Sequence, residues 1–276
     1  VARAGPSGPN SPSGPNSPAS PASPGGPAGQ ATGTAEDQRP AFYAARSGGL
    51  RDWWTLLHPP YTAWHLSYVV IGAALAPTVG LGSLLATLAA FFLAVGIAAH
   101  ALDEVQGRPL RTGIPSPVLV GAAVAGLAGA LGLGIIGVLR IGWILIPFMV
   151  AGPVLVVAYN AELFGGLVHT DLGFAAAWGA FPVLTSYVAQ AGRLALAPLL
   201  AAGAALALSA AQRRLSSPAR TLRRKAVGVN GQVTLADGTV TELDRAVLLA
   251  PLEQALRAMS WGLVLLAAAA AIARLG

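Results

Sequence analysis

"VLVGAAVAGLAGALGLGIIGVL", residues 118–139, runs without a single charged or polar side chain. A membrane-crossing helix needs about 20 predominantly apolar residues, so this stretch decides the fold class. Gly126, Gly129 and Gly132 recur in it at spacing three. Small residues let helix backbones approach closely where lipid removes the hydrophobic force between helices. The whole chain agrees: 54% of its 276 residues are hydrophobic and only 10% charged, and the mean hydropathy is +0.63. A soluble domain carries roughly 25% charged residues.

Reading outward on the same criterion gives seven spans, near 62–79, 81–102, 118–139, 141–159, 172–191, 194–211 and 255–273. The expected fold is therefore an all-α integral membrane helical bundle. The basic residues set an expected orientation. With the N-terminus cytoplasmic, fourteen of them fall inside and only Arg140, Arg193 and Arg274 outside. This is a positive-inside pattern, and with seven spans it puts the C-terminus outside the cytoplasmic membrane. One lysine, Lys225, stands against sixteen arginines. With its basic residues placed by topology, the net charge of +6 is not read as a nucleic-acid surface.

Two segments lie outside the spans. In residues 1–48 Pro recurs every third residue from Pro6 to Pro27, and "SGPNSP" occurs twice. This composition reads as a disordered, solvated tail. Arg3 is followed by no apolar run, so no secretory signal peptide is expected. Between spans six (ending the 49–211 block) and seven (255–276), residues 212–254 open with "RRLSSPARTLRRK", a basic stretch suited to anionic lipid. A direct part for it in binding a phosphorylated substrate is a second reading. "AVGVNGQVTLADGTVTELD", 226–244, then alternates around Asp237-Gly238 and predicts a small cytoplasmic β-hairpin.

The absence of cysteine excludes disulfides, thiolate zinc sites and haem attachment. Four histidines are too few for a histidine-box oxygenase, and the last span has no lysine for retinal. The polar residues instead gather at one expected membrane face. His58 and His65 bracket the start of span one. His100, Asp103 and Glu104 end span two at i, i+3 and i+4, on one face of a turn. Glu162, His169 and Asp171 lie between spans four and five. Ionisable groups at bilayer depth cost about 2.5–3.5 kcal/mol, so they usually have partners or a function. They read either as helix ends at the headgroup level or as a metal site. Carboxylates suit Mg²⁺ bridging to phosphate; imidazole with carboxylate, as at His100, His169 and Asp171, suits a transition metal.

Three stretches together resemble the UbiA family of membrane prenyltransferases: "HPPYTAWHLSYVVIGAALA" at 58–76, "RPLRTGI" at 108–114, and "LGFAAAWGAFPVL" at 172–184 following "VAYN". The resemblance covers residues 50 to about 210. It implies a UbiA-like bundle that transfers a prenyl group from a polyprenyl diphosphate to a lipophilic acceptor with Mg²⁺. On it, Asp103 and Glu104 would be the catalytic, metal-binding acids. Arg108, Arg111, His100, Tyr159 and Asn160 would contact the substrate. The chain departs from the family in keeping one pair of adjacent acids, Asp103 and Glu104, and in carrying no acid in "RRLSSPARTLRRKAVGVNGQV". A catalytically degenerate or re-purposed protein that binds an isoprenoid lipid or a transition metal is the alternative. A membrane transporter or scaffold is another.

Overall fold

The computed structural model describes residues 39–275; the Pro-rich repeats lie outside them. Helices α1 (Leu50–Leu56) and α2 (Pro59–Ala74) are followed by α3 (Leu81–Val105), α4 (Ser116–Ile141), α5 (Trp143–Asn160), α6 (Asp171–Ala191), α7 (Leu196–Arg224) and α8 (Arg245–Leu275). Strands β1 (Gly231–Thr234) and β2 (Val240–Leu243) lie between α7 and α8. Six helices, α3 to α8, are long and apolar enough to cross a membrane. The chain is a multi-pass helical membrane protein.

The first span expected from sequence, 62–79, is the shorter α2. Its 16 residues make about 24 Å of helix, less than a hydrocarbon core of about 30 Å. It starts at Pro59-Pro60, where a missing N–H costs nothing and φ is already helical. It is not a lipid-facing span. Trp64, Tyr68, Val69 and Ala73 are buried, wedged against α6 on one side and α8 on the other. Within this core the Trp64 indole N–H donates to the Tyr68 hydroxyl (2.9 Å), which donates to the Ala205 carbonyl of α7 (3.2 Å).

Close helix approach rests on glycine, although at positions the spacing alone did not mark. A Cβ on Gly72 of α2 would collide with the Val183 carbonyl of α6. One on Gly179 of α6 would stand 2.6 Å from the Ala205 carbonyl of α7. Of the triplet in α4, Gly126 meets the Leu93 carbonyl of α3 at 2.6 Å and Gly129 meets only a flexible leucine side chain. Gly132 has nothing within 4 Å.

The polar stretch after span six is helical where a loop was expected. Polarity ends the membrane-crossing part of α7, but Arg, Leu and Ala are strong helix formers and carry it on to Arg224 across Pro218. Likewise α8 begins at Arg245, well before the apolar run. The two extensions are joined by a bidentate pair between Arg223 and Glu253, each side chain about 10% exposed. The predicted hairpin forms antiparallel, in register Gly231 with Leu243 through Thr234 with Val240. Gly238 takes φ +86° to close a three-residue loop, and the Asp237 carboxylate accepts from Thr239 N (2.9 Å).

Candidate functional site

Tracing the helices up and down places one end of α2, α3, α4, α5, α6, α7 and α8 together, and nearly all the ionisable residues with it. The first structure built there is a clasp from 106 to 115. Glu104 is fully buried and accepts three hydrogen bonds: from Leu110 N (2.9 Å), Thr112 N (2.8 Å) and the Thr112 hydroxyl (2.9 Å). Arg108 turns its guanidinium onto the same loop, to the carbonyls of Thr112 and Ile114 and to the Ser116 hydroxyl. Asp52 of α1 closes the clasp by accepting from Gly113 N (3.1 Å) and Gly48 N (3.0 Å). Glu104 and Arg108, expected to hold metal and phosphate, are therefore engaged in folding the loop. Arg111 is exposed, and Asn160, buried at the end of α5, donates to Val156 O (2.8 Å).

The histidines share one chemical arrangement. Nδ1–H donates to a backbone carbonyl in His65 (Trp178 O, 2.8 Å), His100 (Gly96 O, 3.1 Å) and His169 (Tyr159 O, 2.9 Å). Such a bond fixes the tautomer and leaves Nε2 as the basic atom. Two of those carbonyls, Gly96 and Trp178, lie in π-helical segments, Phe92–Ala99 of α3 and Ala176–Ala180 of α6. Segments of this type are frequent at functional sites. His100 stacks on His58 (4.3 Å between centroids), and His169 on Tyr159 (4.4 Å). Among the described residues no group of three or more His, Cys, Asp or Glu is placed to hold a metal ion.

His58 differs, because its Nδ1 shares a hydrogen bond with the Tyr43 hydroxyl (2.7 Å) instead of a carbonyl, and its buried Nε2 has no partner. Tyr43 belongs to residues 39–48, grouped by composition with the tail. Here they lie over α2 and α7, with Ala41 and Ala44 buried, Arg257 above the Phe42 ring and Arg224 donating to Pro40 O. Burial, then the fields of His100, Arg224, Arg220 and His65, hold His58 well below its ordinary value of 6.5. A base with a depressed folded value stabilises the fold above 6.5, and that stabilisation is lost as pH falls. The melting temperature should therefore decline below pH 6.5, and decline less in His58→Phe, which keeps the stack on His100. Equal slopes in detergent-purified protein would refute this.

Facing this cap is the polar extension of α7. Arg213 pairs with Asp171 (3.0 Å) and lies over the Phe174 ring, Arg220 donates to Ser217 Oγ, and Arg224 sits beside Pro40. The positions 213, 220 and 224 fall on one helix face, spaced seven and four apart. Asp103 is exposed at the mouth. It makes no hydrogen bond or ion pair among the described residues. A small cavity of about 30 Å³ opens at the same end between Tyr43, His58, Tyr61, Arg220 and Arg224. Tyr159 is buried with its hydroxyl unpartnered, against Trp178 and Phe174.

Backbone strain gathers at the same end. Among the described residues the four non-glycine positions with positive φ are His58, Arg108, Arg111 and Glu162. Such conformations cost of order 1–3 kcal/mol and cluster where the surroundings over-determine them. The α7 arginines are the site residues that sequence reasoning placed in a loop. Their spacing was the available signal, hidden once the span was ended at residue 211.

Six long apolar helices closed at one end by this cationic cap define the class: a multi-pass membrane protein with a polar site at one end of its bundle. Comparison with known proteins finds no matching family model, no matching curated protein and no matching solved structure.

Proposed function

We propose that the chain is a divergent UbiA-like prenyltransferase of the cytoplasmic membrane. It takes the diphosphate of an isoprenoid lipid at the cap and transfers the prenyl group to a lipophilic acceptor. The observation that carries this reading is the row of Arg213, Arg220 and Arg224 on one face of α7, at the end of the bundle that also holds Asp103 and the packed aromatic side chains of Tyr159, Phe174 and Trp178. Arginine forks match phosphate oxygens in bidentate geometry. The arginine distribution, with Arg140, Arg193 and Arg274 alone at the far end, supports a cytoplasmic cap.

Glu104 is engaged in the clasp, Asp171 by Arg213 and Glu253 by Arg223. With Glu162 beside His169 (4.0 Å), Asp103 is the cap carboxylate without a hydrogen-bonding or ionic partner among the described residues. One such group suits a single Mg²⁺ shared with substrate oxygens, not a pair of ions. Asp103 would hold that ion, whose chemistry is neutralisation of the departing diphosphate. The chain's own contribution is to orient and neutralise. Arg220 and Arg224 accept the charge that develops on the leaving group, and the carbonyl-bound histidines stay available as bases through Nε2.

The test is a thermal shift of full-length protein in detergent with a non-hydrolysable prenyl diphosphate, with and without Mg²⁺. Wild type should be stabilised, and Arg220→Gln with Arg224→Gln should weaken binding by roughly ten-fold or more, the equivalent of one or two charge-assisted contacts. Asp103→Asn should remove the Mg²⁺-dependent part alone. No stabilisation by any chain length would reject the reading.

A further inference from the structure

A second cavity, larger than the one at the cap, lies at the other end of the bundle. A groove of about 150 Å³ runs between α3, α4, α5 and α6, from Gly82, Ser83 and Arg140 at the far end inward to Trp178 and Val156. Its walls are apolar, with Phe91, Leu131 and Met149 among them. Toward the cap it is closed, because Val156 and Trp178 are packed into one buried core with Tyr159 and Phe91. Along α3 it extends from Gly82 to Val95, about 20 Å of helix rise. One leaflet of a hydrocarbon core about 30 Å thick is about 15 Å deep, so the groove spans one leaflet and stops short of the other face.

Its charge is one-sided. Arg140, on the last turn of α4, lines the mouth, is exposed, and makes no hydrogen bond or ion pair among the described residues. Arg193 follows Gly192, whose position adjoins Ile141 on the same rim. The described carboxylates all lie at the cap or in the hairpin; the far end has none. Arg274, the third cation there, is held by the carbonyls of Ala76 and Pro77.

We propose that this groove is a binding site for an anionic phospholipid of the far leaflet. One acyl chain fills the space between Phe91, Leu131 and Met149, and Arg140 holds the phosphate. The site is independent of the prenyl diphosphate reading, because its mouth opens at the opposite end of the bundle.

The experiment measures binding of phosphatidylglycerol and phosphatidylcholine to delipidated full-length protein in detergent, by native mass spectrometry. Phosphatidylglycerol should bind more tightly than phosphatidylcholine by about five-fold, the equivalent of one basic side chain at an anionic surface. Arg140→Gln should equalise the two, and Arg140→Lys should restore most of the preference. Gly134→Leu, or Ala130→Leu if the first folds poorly, should weaken both lipids by filling the groove. Arg220→Gln with Arg224→Gln should leave the preference intact. Three results would overturn the proposal: equal binding in wild type, a preference that survives Arg140→Gln, or displacement of the phospholipid by a prenyl diphosphate. The last would make the groove a tail site of the cap and leave the prenyl reading standing. Absence of prenyl diphosphate binding, with the phospholipid preference retained, would reject only the prenyl reading.

Discussion

Glu104→Ala should lower stability by about 3–5 kcal/mol, the range for removing one partner from a buried charged network. The wild-type carboxylate is fully buried and satisfies Leu110 N, Thr112 N and the Thr112 hydroxyl together. Alanine leaves three donors without acceptors, each costing about 1–3 kcal/mol where water cannot replace the loss. Glu104→Gln is the informative control. Its carbonyl oxygen can still serve Thr112, but its amide would point a donor at the Leu110 N–H, so its loss should be intermediate. Thermal melting gives the ranking. Limited trypsin digestion gives the mechanism, since the Arg111–Thr112 bond lies in the loop that Glu104 holds and should be cut faster when the clasp opens. Arg108 precedes Pro109 and is not a trypsin site. Wild-type melting in the alanine variant would remove Glu104 from its structural role.

Gly72→Leu should be as damaging by a different route. The added Cβ alone would collide with the backbone of Val183, and backbone cannot rotate away as a side chain can. α2 would have to part from α6 and so loosen the packing of Trp64 and Tyr68 against α6, α7 and α8. Overpacking typically costs about 1–3 kcal/mol, and a clash with main chain sits at or above the upper end. Gly132→Leu on α4 adds the same side chain where nothing lies within 4 Å, and should change melting by less than about 0.5 kcal/mol. Equal effects of the two would show that close approach of α2 and α6 is not what Gly72 provides.

The long apolar helices were legible because length and hydropathy are properties of contiguous residues. The depth of a helix in the bundle was not: Gly72 and Gly132 look alike in sequence, and only the neighbour across the interface distinguishes them. The same limit governed the site. "HALDE" lies at the cap end of α3, with His100 half-buried against His58 and Asp103 exposed. Adjacent acids on a helix point about 100° apart, however, so Asp103 faces the mouth while Glu104 faces the loop. Resemblance treats the two as equivalents; geometry separates them. The α7 arginines were obscured for a related reason, because the end of hydrophobicity was read as the end of the helix. The hairpin needed no long-range partner, only Asp-Gly and alternation, and it formed where expected.

α2 is shorter than the helices packed around it. The bundle around it is built from helices of 18 to 31 residues, while α2 has 16 and stands in the middle. Residues 39–48 lie over its first turn, with the Tyr43 hydroxyl against His58. They act as a stopper on the central helix. Access to His58 from outside passes through that stopper, so Tyr43→Ala should open the histidine to solvent without altering any of the long helices.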